Sequence, residues 1–207
     1  MKGFKNQPVE NAVEDILHSG DKEMRLFTVK RTSKFAPVDD VVGDWKEACP
    51  ESVRDFSATA YYFGRELRKM LGVPVGLIVT SWGGSSCEAW MNRDWLKAFP
   101  QIELPTSQET IKSKNRTATV LYNGMLRPLI GVSMRGVIWY QGEENVSRSS
   151  YYADLFSRMI KGWREEWQQG DFPFYFCQIA PYDYSLIKWE QYNSAFLREQ
   201  QAKAELM

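Results

Sequence analysis

Histidine is almost absent from this chain of 207 residues, in which His18 is the only one. A Ser-His-Asp relay formed within the chain would have to use it. His18 follows the polar, helix-like stretch of EDILHSGD, so we expect a surface histidine at the end of a helix. No GxSxG nucleophile motif occurs either. The residues alone therefore offer no convincing pair of nucleophile and base.

Net charge is also lacking, because 26 basic and 26 acidic residues cancel. A neutral chain with a pI near 6.6 has no electrostatic footprint for nucleic acid, and charge gives it no affinity for a membrane surface. No apolar run approaches the roughly 20 residues that span a bilayer. The start of the chain lacks the apolar core of a signal peptide. We expect neither a nucleic-acid nor a membrane partner, and the chain as printed is typical of a cytoplasmic product.

Cysteine is scarce and scattered. Cys49, Cys87 and Cys177 are odd in number and have no CxxC spacing, which argues against a disulfide framework and a zinc site. We expect buried or incidental thiols, although one pair can form a disulfide if the mature protein is exported. Neither GxxxxGK[ST] nor GxGxxG is present, so a nucleotide or flavin site lacks its phosphate loop. The sequence predicts no metal and no cofactor.

Four segments have the length and composition of strands: 23–31, 73–81, 137–140 and 172–180. The last three are continuous apolar runs, which suit parallel strands buried on both faces. Amphipathic patterns separate them, so the predicted fold class is α/β with a parallel sheet in three layers. We expect a single domain over residues 1–207, with the polar segment 101–120 as a small insertion.

Helical periodicity is clearest in three further segments. The segment 53–71 ends before Gly72, a typical helix stop. Its apolar stripe consists of Phe56, Ala60, Phe63, Leu67 and Met70. The segment 149–168 carries an aromatic stripe and can be capped by Ser149. A last helix begins near Trp189 and runs to the end of the chain.

Two strands end in polar loops, WGGSSCEAWM after 73–81 and QGEEN after 137–140. Ligands bind at the carboxyl ends of parallel strands, so we expect a functional site where these loops meet. The pair Gly83 and Gly84 allows backbone N–H groups to face a developing oxyanion. A tight turn is the simpler alternative for an isolated Gly-Gly.

The QGEEN loop brings two amides and two carboxylates together. Gln141 and Asn145 can donate hydrogen bonds, and Glu143 and Glu144 can accept them or assist a base. A solvated loop is the alternative. Adjacent carboxylates rarely act as the separated acid and base of a glycosidase, and no His or Asp joins them to hold a metal.

In combination these segments resemble the sialate O-acetylesterase family of SGNH hydrolases. The likeness is carried by VPVGLIVTSWGGSSCEAWM, YNGMLRPLIGVSMRGVIWYQGEENV and FPFYFCQIAPY, extends to FSATAYYFGREL and LREQQ, and is weakest across 101–120. It implies a flavodoxin-like SGNH sheet and a serine esterase that removes acetyl groups from sugars. Its partner is an acetylated sugar or glycan, with sialic acid, acetylated xylan and other glycans as the candidates.

The resemblance also implies an oxyanion hole. Its backbone donor matches Gly83 or Gly84, and its side-chain amide matches Gln141 or Asn145. Glu143 matches the glutamate of the family's QGE motif, which orients its neighbours or the histidine.

The chain departs from the family at both ends. The family's GQSNM-like nucleophile motif and its late catalytic histidine have no counterpart here. We therefore predict a sequence truncated at both ends, negligible turnover by the chain as printed, and a longer natural protein that is periplasmic or secreted. A central strand would be missing between the strands near Leu26 and Ile78. We expect rearrangement or self-association to cover that gap.

A non-catalytic carbohydrate-binding module is the alternative function. Trp82 and Trp90, together with Trp139 and Tyr140, offer apolar faces for sugar rings. Packing in the core is the competing explanation for these aromatic residues, especially for Trp139 within its strand.

Overall fold

The computed structural model describes residues 8–187 and 193–204. The chain divides into two compact units, the first formed by Met1–Lys30 and Val42–Ser81, the second by Arg31–Val41 and Trp82–Met207. The first unit contains a three-stranded sheet and the second a two-stranded sheet. The predicted start of the last helix at Trp189 lies outside the described residues.

The first unit combines a mixed sheet with three helices. Its elements, in chain order, are α1 (Ala12–Leu17), β1 (Asp21–Thr28), β2 (Trp45–Ala48), α2 (Pro50–Val53), α3 (Ala58–Leu71) and β3 (Val75–Val79). The central strand β1 pairs antiparallel with β2 and parallel with β3. The strands predicted in 23–31 and 73–81 are thus confirmed, with shorter bounds.

The strands near Leu26 and Ile78 pair directly, which agrees with the predicted rearrangement that closes the gap and not with its coverage by a partner. Leu26 lies opposite Leu77, and Phe27 lies opposite Ile78 in the parallel pair of β1 and β3. Direct pairing of these two strands leaves no space for a strand between them. Self-association was predicted in order to cover that gap, so the reason for predicting it no longer holds.

Helix α3 is shorter than predicted because the chain bends between α2 and Ser57. The Ser57 hydroxyl accepts a hydrogen bond from Ala60 N at 3.3 Å, which caps the helix. Gly72 ends it with a left-handed φ of 65°, as the sequence predicted.

The buried face of α3 differs from the predicted apolar stripe. Phe63 is 38% exposed and Met70 is 79% exposed, whereas Ala60, Tyr61 and Gly64 are buried. A Cβ at Gly64 would lie 2.6 Å from the side chain of Leu77 in β3. The small residues therefore face the sheet, because only they allow so close an approach.

The second unit contains the remaining strands and the longest helix. Its regular elements are β4 (Val137–Trp139), α4 (Tyr152–Trp167), β5 (Phe174–Phe176) and α5 (Ser194–Ala204). Shorter 3₁₀ turns cover Cys87–Trp90, Trp95–Ala98, Arg127–Leu129, Glu143–Tyr151 and Tyr184–Ile187, and a π-helical turn covers Tyr122–Leu126. Strands β4 and β5 are parallel, with Ile138 opposite Tyr175. The parallel pairs in both units confirm the α/β class.

Helix α4 forms the core of the second unit with its aromatic stripe. The ring of Phe156 lies 6.1 Å from Trp139 of β4 and 5.0 Å from Phe176 of β5. Each large side chain buried in this way contributes about 1.5–3 kcal/mol to stability. The predicted cap at Ser149 is wrong, because the 3₁₀ turn continues to Tyr151 and α4 begins at Tyr152.

Segment 101–120 contains turns and bends up to Thr119. Ala118, Thr119 and Val120 at its end are buried, and Thr119 has a left-handed φ of 72°. The segment as a whole is thus mostly a surface connection that becomes part of the core just before the π-helical turn.

Candidate active site

The loop with the two glycines presents free backbone donors. Gly84 has a φ of 69°, which favours glycine. The carbonyl of Gly83 accepts from Asn115 Nδ2 at 2.8 Å, and that of Gly84 accepts from Arg116 Nε at 3.3 Å. Within the described part of the chain, the exposed N–H groups of both glycines donate to no protein acceptor. They are thus available to an oxyanion.

The loop at the end of β4 turns at Gly142, where a side chain has no room. A Cβ at this position would lie 2.7 Å from side-chain carbons of both Ile179 and Leu197. The N–H of Asn145 then donates to the Gly142 carbonyl at 2.8 Å and begins the 3₁₀ turn. Glycine therefore fixes the path of the QGEEN loop.

Gln141 is buried and fully engaged in hydrogen bonds. Its Nε2 donates to the Ser85 carbonyl at 2.9 Å and to Asn145 Oδ1 at 2.7 Å. Its Oε1 accepts from the Tyr152 hydroxyl at 2.9 Å, and its carbonyl accepts from Gln201 Nε2 at 2.9 Å. Both amide hydrogens of Gln141 are thus used within the protein. Its side chain joins the QGEEN loop to the loop that carries the glycines.

Asn145 is completely buried and continues this connection. Its Oδ1 also accepts from Cys87 N at 2.9 Å, and its Nδ2 donates to Glu88 Oε2 at 2.8 Å. The side chains of Gln141, Asn145 and Glu88 together form a buried polar network. One hydrogen of Asn145 Nδ2 has no protein acceptor among the described residues.

Arg148 neutralises the buried carboxylate of the polar network. Its guanidinium donates to Glu88 Oε1 at 2.8 Å, and the side chain of Glu88 is only 7% exposed. Burial is the largest influence and disfavours the charge of Arg148, but the charge and hydrogen bond of Glu88, together with Tyr151 and Glu144, outweigh it and hold the Arg148 pKa above its ordinary value. Each oxygen of the Glu88 carboxylate thus has a donor, and loss of either donor would leave part of a buried charge unpaired.

The two adjacent glutamates of QGEEN have different surroundings. Glu143 is exposed. Glu144 is partly buried and forms an ion pair with Arg116 Nε at 3.2 Å. Burial raises the pKa of Glu144, and the charges of Arg116 and Arg148 oppose that shift. Glu143 is therefore the carboxylate of this pair that is accessible to a group from outside.

The aromatic residues divide between the core and the surface. Trp90 is 2% exposed, its Nε1 donates to Ser85 Oγ at 2.9 Å, and its ring meets Trp139 edge to face at 6.3 Å. The predicted sugar contact at Trp90 is corrected accordingly, since a ring enclosed in this way offers no face to a ligand. Trp82 is partly exposed beside Arg31, and Tyr140 is 55% exposed.

His18 lies in the first unit at the end of α1, exposed, with Nδ1 2.9 Å from the Glu14 carbonyl. The predicted surface histidine at a helix end is confirmed. The three cysteines are free thiols. Across residues 8–187 and 193–204, no group of three His, Cys, Asp or Glu side chains is placed to hold a metal ion, and no helix has the length and apolarity of a membrane span.

Four residues of this site were missed from the sequence: Glu88, Arg148, Tyr152 and Gln201. Glu88 lies in the apolar run CEAW, and Gln201 lies in LREQQ, where it is completely buried. A polar residue in an otherwise buried run was the available signal, because such groups are kept only when they have hydrogen-bond partners. Their partners, however, lie far away in the sequence.

Comparisons with known proteins show which protein family this chain matches. The profile of the family described as "Carbohydrate esterase, sialic acid-specific acetylesterase" matches residues 43–206. Sialate O-acetylesterase of Pongo abelii is 33% identical over 178 residues, which cover 77% of this chain and 34% of that protein. The Homo sapiens protein of the same name is 32% identical with the same coverage. The chain thus spans about a third of the length of these curated relatives.

Two solved structures are also similar. A carbohydrate acetylesterase from Xanthomonas citri has a TM-score of 0.83 and 34% identity, covering 95% of this chain and 43% of that one. An Arabidopsis thaliana protein has a TM-score of 0.56 and 18% identity, covering 97% of this chain and 71% of that one. The second likeness concerns the fold alone.

Proposed function

Because this chain belongs to the carbohydrate esterase family of sialic acid-specific acetylesterases, we propose that it forms the oxyanion side of a site that hydrolyses acetyl esters on sugars. The observation that carries the proposal is the pair of free N–H groups at Gly83 and Gly84, beside which the polar network holds the loop in place. Donors fixed before the reaction stabilise the charge that develops on an ester oxygen.

The roles of the remaining residues follow from their contacts. Gln141 has no free amide hydrogen, so its role in the proposal is to position the loop. Asn145 retains one Nδ2 hydrogen without a protein acceptor among the described residues, but its side chain is completely buried, so its role in the proposal is also to hold the glycine loop in position. Glu143 is exposed at the end of β4 and is the carboxylate we assign to orienting a histidine. Trp82 is the aromatic residue we assign to the sugar.

We propose further that the chain as printed hydrolyses esters at a negligible rate. Its sequence contains no GQSNM-like motif and no histidine besides His18. Loss of members of a serine triad lowers the rate by about 10⁴ to 10⁶. A non-catalytic module that binds acetylated sugars is the second candidate. The partly exposed Trp82 and the exposed Tyr140 favour it, because their rings can contact a sugar.

Hydrolysis of 4-nitrophenyl acetate and of acetylated methyl glycosides tests these proposals. The 207-residue chain is compared with a longer chain to which a segment with a GQSNM-like motif has been added before it and a segment with a histidine after it. We expect turnover by the longer chain only, and a loss of about tenfold or more when Asn145 is replaced by alanine in it. Serine-inhibitor-sensitive hydrolysis by the 207-residue chain contradicts the predicted inactivity. Sugar binding without turnover by the longer chain favours the binding module.

A further inference from the structure

A cavity of about 530 Å³ lies in the second unit beside the π-helical turn Tyr122–Leu126. Its lining includes Phe35, Asn92, Arg93 and Glu166. It shares no lining residue with the glycine loop, the QGEEN loop or the polar network. Its size is within the range of sites for small molecules.

One side of the cavity is a fixed polar cluster around Glu166. The hydroxyl of Tyr122, which is 2% exposed, donates to Glu166 Oε2 at 2.5 Å, and Asn92 Nδ2 donates to Glu166 Oε1 at 3.0 Å. Each oxygen of this carboxylate thus has a protein donor and keeps a lone pair for another. Ligand hydroxyl groups can donate to such oxygens.

The π-helical turn holds another side in place. Asn123 Nδ2 donates to the carbonyls of Phe35 at 2.6 Å and Lys34 at 3.2 Å. A Cβ at Gly124 would lie 2.5 Å from the Thr32 carbonyl oxygen, so the turn packs directly against the segment that carries Phe35. π-Helical turns are rare and occur frequently at functional sites.

The cavity also has a cation without a counterion. Arg127 is exposed, and in the described residues its guanidinium forms no hydrogen bond and no ion pair. Arg93 lies over the ring of Phe35 at 5.6 Å and donates to a backbone carbonyl. The carboxylate of Glu165 is already paired with Arg158 at 3.0 Å. Among the described residues, Arg93 and Arg127 are therefore the cations of the lining that form no ion pair, and Arg127 is the exposed one of the two.

We propose that this cavity is an accessory subsite for a carboxylate-bearing sugar unit, distinct from the unit that carries the acetyl ester. The carboxylate of the ligand pairs with Arg127, because a guanidinium matches a carboxylate with two parallel hydrogen bonds. The apolar face of the sugar ring packs on Phe35, and its hydroxyls donate to Glu166. The choice of a sugar rests on the proposed function, whereas the choice of a carboxylate rests on Arg127.

Binding of methyl β-D-glucuronide, measured by isothermal titration calorimetry, tests the subsite. Methyl β-D-glucoside has the same ring without the carboxylate, and acetate has the carboxylate without the ring. We expect the glucuronide to bind at least about tenfold more tightly than either, which corresponds to the loss of about 1.4 kcal/mol. Neither sugar carries an ester, so the result is independent of whether the chain hydrolyses acetyl groups.

Substitutions locate the binding. Arg127→Gln should weaken glucuronide binding by about tenfold and leave the glucoside unaffected, whereas Arg127→Lys should retain only part of the affinity, because it keeps the charge but loses the two parallel hydrogen bonds. Arg135→Gln is the matched control, since Arg135 is exposed and does not line the cavity. Circular dichroism checks that each variant is folded. The proposal is overturned if the glucuronide does not bind, if acetate or the glucoside binds equally well, or if Arg127→Gln binds like Arg135→Gln.

Discussion

Gln141 and Asn145 are hydrogen-bonded to each other inside the second unit, with Gln141 Nε2 donating to Asn145 Oδ1 at 2.7 Å. The sequence presented these two amides as alternative candidates for one role. Their contact joins them in a single network that also reaches Glu88 and Tyr152. Both amides therefore fix the glycine loop, since Gln141 bonds to the Ser85 carbonyl and Asn145 to the Cys87 N–H.

Removal of Asn145 should destabilise the protein. Asn145→Ala leaves Cys87 N without its acceptor and removes one buried hydrogen bond each from Gln141 Nε2 and Glu88, so we expect the free energy of unfolding to fall by about 2–4 kcal/mol. Urea denaturation measures this change. Asn115→Ala, which removes one exposed hydrogen bond to Gly83, is the control and should cost less than about 1 kcal/mol. Equal losses in the two variants would contradict a supporting role for the polar network.

Glu88 and Arg148 should be energetically coupled. Glu88→Ala removes a buried carboxylate, and we expect a loss of about 3 kcal/mol, while Arg148→Ala should cost at least as much, because it leaves the carboxylate of Glu88, which is only 7% exposed, without its counterion. A double-mutant cycle in urea should give a coupling energy of about 1 kcal/mol or more. The exposed pair Lys112 and Glu103 is the control, with an expected coupling of about 0.5 kcal/mol or less. Additive losses for Glu88 and Arg148 would refute the coupling.

The two glycines of the loop should respond differently to alanine. Gly84→Ala forces a side chain into a left-handed conformation, so we expect a loss of about 1–2 kcal/mol. A Cβ at Gly83 would meet no atom within 4 Å, and its φ is not positive. Gly83→Ala should therefore change stability by less than about 0.5 kcal/mol. Thermal and urea unfolding of both variants measure these changes, and a large loss for Gly83→Ala would show that the loop has no room for a side chain at this position.

The thiols should differ in reactivity. Burial raises the pKa of Cys87 well above its ordinary value, and the charge of Glu88 adds to the shift, whereas Cys177 is exposed. With iodoacetamide at pH 8, we expect rapid labelling of Cys177 and labelling of Cys87 only in denaturant. Mass spectrometry of tryptic peptides assigns each site. Cys177→Ser provides the control, and fast native labelling of Cys87 would show that the polar network opens in solution.

Local sequence features predicted the elements of this protein well. The glycine stop at Gly72 and the aromatic stripe of α4 both appear as expected, because capping and periodicity depend on neighbouring residues. The predicted stripe was right for Phe56 and Ala60, which are buried, and wrong for Phe63 and Met70, since close packing at Gly64 against Leu77 decides which face of α3 is buried. That contact joins residues from different elements, so the helix propensities of the individual residues do not predict it.

For the site, the sequence identified both loops and the family, because SWGG, EAW and WYQGE occur in order. By itself it determined the α/β class, the glycines and the end of β4 as the place for polar groups. Only the tertiary structure decided that Trp90 is enclosed, that Gln141 has no free amide hydrogen and that Glu88, Arg148 and Gln201 support the loops. The physical reason is that burial and hydrogen-bond partners arise from packing between distant segments, whereas motifs and periodicity are local.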